Sequence, residues 1–232
     1  TVTPGAPVTL VVSPLIATIT ADENLTLTAN MVDQHGNIVP GEPITFTPTN
    51  GSMSATMPNM FQPYAVGTHV VQVRHAVTGG STVDVSISVT AGAPEYFELN
   101  GCSGTVPAGV WCGITAEVFD QFGNQLDIST AGNLTWTTTN GNYSEVNQEY
   151  FPDHVGVWWL NLTSVSGASD ELQITVGHGA IDYLELNASS TSITADDRVY
   201  INTTRVDVRG NRLSVVLPAD NWTKTSDGQL TP

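Results

Sequence analysis

Val32-Asp33-Gln34-His35-Gly36-Asn37 recurs as Phe119-Asp120-Gln121-Phe122-Gly123-Asn124, and again as Val206-Asp207-Val208-Arg209-Gly210-Asn211. The aspartates are 87 residues apart both times. A second marker keeps the same step. Ala6-Pro7-Val8-Thr9-Leu10-Val11-Val12 aligns with Ala93-Pro94-Glu95-Tyr96-Phe97-Glu98-Leu99 and with Ala180-Ile181-Asp182-Tyr183-Leu184-Glu185-Leu186. Thr20-Ala21-Asp22 matches Thr194-Ala195-Asp196 at twice that step. Two independent markers with one period define a tandem repeat.

The period divides the 232 residues into modules 6–92 and 93–179 and an incomplete module 180–232. The last lacks counterparts of Gly67–Val73 and Val83–Val89. Thr1-Val2-Thr3-Pro4-Gly5 resembles Ser88-Val89-Thr90-Ala91-Gly92, so residues 1–5 read as the end of a preceding module. The expectation is a segment of a longer array, opening on the tail of one repeat and closing inside another.

Each module reads as β. Leu25, Leu27, Ala29 and Met31 alternate with polar residues, as do Cys112, Ile114, Ala116 and Val118, and Val83, Val85, Ile87 and Val89. A period of two marks a half-buried strand. Turn signals recur about every ten residues: His35-Gly36-Asn37, Pro40-Gly41, Thr49-Asn50-Gly51, Gly79-Gly80, Asn140-Gly141 and Asp227-Gly228. No segment has a 3.6-residue period. About seven short strands per module predict an all-β fold of tandem immunoglobulin-like sandwiches.

The stretch Val32–Phe46, followed by Thr49-Asn50-Gly51, resembles the bacterial and archaeal Ig-like repeats of invasin- and intimin-type surface proteins. The second module keeps Asp120, Gly123, Asn124 and Asn140-Gly141, and has Trp136 in place of Phe46 after three extra residues. The third keeps Asp207, Gly210, Asn211 and Trp222. A later motif also repeats, Phe61-Gln62-Pro63-Tyr64-Ala65-Val66-Gly67 against Phe151-Pro152-Asp153-His154-Val155-Gly156. The resemblance implies a cell-surface or secreted array used for spacing, adhesion or coat building. Archaeal surface-layer proteins are often built from such modules. Fold alone assigns no activity.

Composition narrows the partners. Net charge is −16, from 22 acids and only six bases. That argues against nucleic acid, whose phosphates need clustered Lys and Arg. No apolar run approaches the roughly 18 residues of a membrane span, and residues from Thr1 on lack a basic start and apolar h-region, so any secretion signal is expected to be already gone or to lie outside this stretch. Charged residues total 12%, about half the usual share. The chain is acidic because it lacks lysine, which suits an exterior, salty location. The second module has ten acids and no base, so copies of it repel one another unless cations screen them. Arg198, Arg205, Arg209 and Arg212 cluster in the third module and are candidates to meet the acidic module of a neighbouring chain.

Five groups of residues invite a chemical reading. The Asp-x-x-Gly-Asn motif suits a hairpin turn whose aspartate accepts backbone N–H groups and whose glycine has positive φ. One carboxylate per turn is too few for calcium, which takes six to eight oxygens. The better-placed calcium candidates are Asp22, Glu23, Asp196 and Asp197, where a neighbouring module's loop could add ligands. Cys102 and Cys112 are the only cysteines. With no histidine near them they read as a disulfide from an oxidising, extracellular compartment. Asn-x-Ser/Thr occurs at Asn24, Asn50, Asn133, Asn142, Asn161, Asn187, Asn202 and Asn221. Eight sequons exceed the roughly three that 16 asparagines would give by chance, and predict N-glycosylation. Trp136 and Trp222 align with Phe46 and read as core. Adjacent Trp158 and Trp159 point to opposite faces, which makes Trp159 the candidate contact for a glycan or protein.

Nothing resembles a catalytic constellation, so no enzyme is expected. The histidines His35, His69, His75, His154 and His178 are scattered and read as surface residues. The leading expectation is an extracellular structural repeat segment of a large glycosylated surface protein, whose partners are neighbouring modules or copies of itself. The alternatives are an adhesin or carbohydrate-binding module, and a filament subunit in which Thr1–Gly5 donates a strand to the next copy.

Overall fold

The computed structural model describes residues 3–77 and 79–215. Asn221, Trp222 and the Asp227-Gly228 turn lie outside the described residues. The chain forms two compact units. The first runs to Glu98 and adds Glu117–Asn133 and Ser164–Ala168. The second holds Leu99–Ala116, Leu134–Thr163 and the chain from Ser169 on. The second repeat therefore contributes to both.

The first unit contains an immunoglobulin-like sandwich. On one side Thr9–Ser13, Thr28–Val32 and Ile38–Val39 form a sheet, continued by Leu25–Thr26, Met60–Gln62 and Ser52–Met53. On the other the order is Ile16–Thr20, Thr82–Thr90, Gly67–His75, Ile44–Pro48. The first strand pairs antiparallel with Thr28–Val32, Leu10 opposite Met31. The chain then changes sheets, and Ile16–Thr20 runs parallel to Thr82–Thr90, from Ile16 opposite Ser86 to Thr20 opposite Thr90. This switch joins the two layers through a single chain segment.

Strand alternation explains the core. Leu10, Val12, Leu27, Met31 and Phe61 point inward from one layer, and Val71, Val73, Val85, Ile87 and Val89 from the other. β-branched and aromatic residues favour this pleated, half-buried surface. Leu25 and Ala29, read as inward, are half-buried against the same cluster.

The second module repeats the plan. Thr105–Pro107, Ser169–Gly177, Gly156–Ser164 and Leu134–Thr138 form one sheet, and Thr105 again runs parallel to the last strand, opposite Thr175. The other sheet has the order Tyr96–Gly101, Cys112–Phe119, Glu149–Phe151, Asn142–Ser144. In the second unit Val106, Ile114, Tyr150, Leu160, Ile174 and Val176 form the core, with Trp136 and Trp158 packed against it. The described part of the third module is a three-stranded sheet of Ile181–Ala188, Ile201–Asp207 and Arg212–Val215. Leu184 and Leu186, the counterparts of buried Leu10 and Val12, are 47% and 58% exposed.

Candidate functional site

The recurring aspartates sit in three nearly identical turns. Asp33 Oδ1 accepts the N–H of His35 and of Asn37, each at 2.9 Å. Asp120 does the same with Phe122 and Asn124, both at 2.9 Å. Asp207 does so with Arg209 at 2.9 Å and Asn211 at 2.8 Å. Gly36, Gly123 and Gly210 have φ near +80°, the left-handed value that glycine adopts at least cost. The second carboxylate oxygen goes elsewhere. Asp33 Oδ2 accepts the N–H of Gly5, Asp120 Oδ2 that of Gly92, and Asp207 Oδ2 that of Gly179, all at 2.8 Å.

Each aspartate therefore ties its turn to the segment that leads into its own module. Sequence reasoning found the turn and missed this tie. A signal was present: Gly5, Gly92 and Gly179 keep the same 87-residue step, 28 residues before their aspartates. Gly179 has little room for a side chain, because a Cβ there would lie 2.2 Å from the Ala108 carbonyl oxygen. Asp120 is held by Gly92, and its turn belongs to the first unit.

Donated N–H groups stabilise the ionised form. The Gly5 N–H, then the Asn37 amide, hold the Asp33 carboxyl far below the ordinary carboxylate range. At Asp120 and Asp207 burial pushes the other way, but the N–H groups of Gly92 and Gly179, with those of the turn, outweigh it and both carboxyls are lowered. Lowered folded-state values contribute stability that is full above the unfolded value near 3.8 and lost as pH falls towards the folded values. Unfolding midpoints in urea should be flat from pH 7 to 5 and fall progressively below pH 4. A midpoint that stays level down to pH 2 would exclude this linkage.

Three of the four carboxylates singled out for calcium form local caps. Asp22 accepts the Thr20 hydroxyl at 2.5 Å and the Ala93 N–H at 3.2 Å. Glu23 accepts the Thr20 N–H at 3.0 Å. Asp197 accepts the Thr194 N–H at 2.9 Å and hydroxyl at 2.8 Å. Asp196 is exposed. Through Ala93, Asp22 contacts the first residue of the second module. Among the described residues no group of three or more His, Cys, Asp or Glu side chains is placed to hold a metal.

Cys102 and Cys112 are joined by a disulfide with Cα atoms 5.2 Å apart. It closes the bend where the chain leaves strand Tyr96–Gly101, so it staples the sheet change of the second module. The chain-entropy relation gives a loop of this size about 3 kcal/mol. Reduction, or the Cys102→Ser/Cys112→Ser pair, should lower the stability of the second unit by that amount and leave the first unit's midpoint unchanged. Equal midpoints with and without reductant would refute the assignment.

Of the described sequon asparagines, Asn24, Asn50, Asn133, Asn142, Asn187 and Asn202 are exposed, and Asn161 is half-buried between Leu160 and Leu162 of the core. Asn50 accepts the Tyr64 hydroxyl at 3.0 Å. Trp159 is 42% exposed. Trp158 turns inward and donates its indole N–H to the His154 carbonyl at 2.8 Å. Trp136 is half-buried and stacks on Tyr143 with ring centroids 4.1 Å apart.

One reading requires correction. His69 and His75 are buried, not surface residues. His69 lies at an inward position of its strand with Nε2 2.7 Å from the Ala65 carbonyl, and His75 Nε2 lies 2.7 Å from Glu42. Each ring's Nε2 has a polar partner, which lowers the cost of burial, while His69 Nδ1 is buried with none. Of the clustered arginines, Arg209 pairs with Asp153 of the acidic second module, and Arg212 with Glu185 at 3.0 Å.

No protein-family model and no curated protein sequence matches the chain. Solved structures do. The surface layer protein SbsC, domains 1–6, is 15% identical over 90% of this chain and 32% of its own, with a TM-score of 0.33. Invasin, a bacterial integrin-binding protein, is 18% identical over 88% of this chain and 47% of its own, at 0.44. The Escherichia coli adhesin FdeC is 14% identical over 90% of this chain and 77% of its own, at 0.44. The chain thus spans less than half the length of the first two. No helix among the described residues is long and apolar enough to cross a membrane.

Proposed function

We propose that the chain is a structural segment of an extracellular surface protein, built to extend or assemble a stalk, coat or surface layer. The observation that carries this reading is the threefold bond from a recurring aspartate to the glycine that leads into its module. A chemical site occurs once; a connection repeated at constant period serves an array. The disulfide and the exposed sequons fit the same exterior setting. The similarity to surface-layer and adhesin structures is one of fold, and their functions are not transferred by it.

Electron microscopy of the purified chain and of its parent protein, with and without calcium, tests this. Ordered sheets, filaments or extended particles of even width are expected. Monodisperse compact particles at every concentration would reject it. A second reading, an adhesin, draws on the exposed Trp159 indole, since such a ring can stack on a sugar or anchor a protein contact. Glycan-array binding that is lost in Trp159→Ala would favour adhesion instead.

A further inference from the structure

The recurring asparagine has, in the second and third turns, a task that the turn does not need. Asn124 carries its Nδ2 against Asp120, 2.8 Å from Oδ2. The same amide donates to the Tyr64 carbonyl at 3.1 Å, and its Oδ1 accepts the Val66 N–H at 3.1 Å. Asn211 repeats this one step along the chain. Its Nδ2 lies 3.0 Å from Asp207 Oδ2 and donates to the Asp153 carbonyl at 2.9 Å, while Oδ1 accepts the Val155 N–H at 3.2 Å. Tyr64 to Val66 and Asp153 to Val155 are equivalent positions of the repeated Phe61–Gly67 and Phe151–Gly156 loops.

Those loops are prepared for the contact. The carbonyl between the two bonding positions is held inside its own module, Ala65 by the His69 ring and His154 by the Trp158 indole. One carbonyl and one N–H on either side are left to face the asparagine. A primary amide matches that pair, because it offers donors and an acceptor in one plane. The carboxylate beside it fixes which end is which. All its bonds to the loop go to main-chain atoms, so the surface tolerates Pro-Tyr-Ala-Val-Gly and Pro-Asp-His-Val-Gly alike. The first turn provides the comparison. Asn37 makes the same bonds to Asp33, but it is exposed where Asn124 and Asn211 are half-buried.

We propose that the Asp-x-x-Gly-Asn turn is a module-docking surface, whose partner is the main chain of the Pro-x-x-Val-Gly loop of the preceding module. The aspartate grips its own leading segment and orients the amide; the asparagine grips the neighbour. Turn and joint are therefore one device. The residue between them varies, as His35, Phe122 and Arg209, and adds preference for a given neighbour. Arg209 pairs with Asp153 and lies over the Phe151 ring at 5.2 Å. The proposal rests on the array reading only in taking its partner to be another module.

Hydrogen exchange in the full chain tests it at single amides, whatever the fate of the coat or adhesin readings. Asn124→Ala should speed exchange of the Val66 amide at least tenfold and leave Val155 unchanged. Asn211→Ala should do the reverse. Asn37→Ala removes the same bonds within a turn and should alter neither amide, which separates docking from turn stability. Protection of Val85 and Ile87 in the Asn37 and Asn124 variants, and of Ile174 and Val176 in Asn211→Ala, reports that the fold is intact, and Asn124→Gln, whose longer amide misses the loop, repeats the test if the alanine variant unfolds. Val66 exchange unaltered in both Asn124 variants, or altered equally by Asn37→Ala, would overturn the proposal.

Discussion

Replacement of Asp120 by alanine should destabilise the first unit by about 3–5 kcal/mol, far more than removal of an ordinary carboxylate. Asp120 is completely buried. It accepts the N–H groups of Gly92, Phe122 and Asn124 and the Asn124 amide. Truncation leaves these donors together in a space from which water is excluded, and an unsatisfied buried donor costs about 1–3 kcal/mol. Asp120→Asn keeps an acceptor in place and should cost less. Glu117→Ala, which removes an exposed acid of the same unit, should stay within about 0.5 kcal/mol. Urea unfolding followed at constant m-value measures all three. An Asp120→Ala loss no larger than that of Glu117→Ala would mean that the buried carboxylate is not what holds the turn to Gly92.

Phe61→Ala should cost a similar amount, about 3–5 kcal/mol, through a different cause. The ring is fully buried, within the cluster that joins both layers of the first sandwich. Its neighbours are fixed by backbone geometry. A Cβ on Gly51 would lie 2.7 Å from the Phe61 ring, and the His69 ring is tilted against it with centroids 6.0 Å apart. Little can collapse into the cavity, so the loss should sit near the top of the range. Gly51→Ala should destabilise too, both by that clash and by its φ of +82°. The contrast is Tyr64→Ala, three residues away and 47% exposed, which should leave stability nearly unchanged. A Phe61→Ala loss below about 1 kcal/mol would show that the pocket refills.

The strands were legible because a period of two is written directly in the side chains. Val83, Val85, Ile87 and Val89 alternate in the sequence and turn inward in the sheet. The turns were legible because positive φ calls for glycine. What alternation cannot carry is the identity of an inward polar residue. His69 and His75 sit at inward positions, and their burial depends on an Ala65 carbonyl and on Glu42, partners that only the fold brings within reach. The second bond of each aspartate was hidden for the same reason. Its donor lies 28 residues away, and Gly5, Gly92 and Gly179 gave a repeat signal whose meaning needs a third dimension. The asparagines were read as turn residues because a turn alone accounts for them. Only the comparison of exposed Asn37 with half-buried Asn124 separates the two duties.

The parallel pairing of Ile16–Thr20 with Thr82–Thr90 has a mechanical consequence. These strands lie near the two ends of the first module's chain, and five consecutive residue pairs bind them side by side. Tension applied between the ends of the module would pull one strand against the other in shear. The main-chain bonds between them are then loaded together instead of opening one after another from an end. Thr105–Pro107 against Ser169–Gly177 places the second module under the same geometry, with the Cys102–Cys112 bridge just ahead of the loaded strand. Resistance to forced extension is a matter of unfolding rate, not of equilibrium stability. Such a pairing opposes a pull between a module's ends without adding to its free energy of folding.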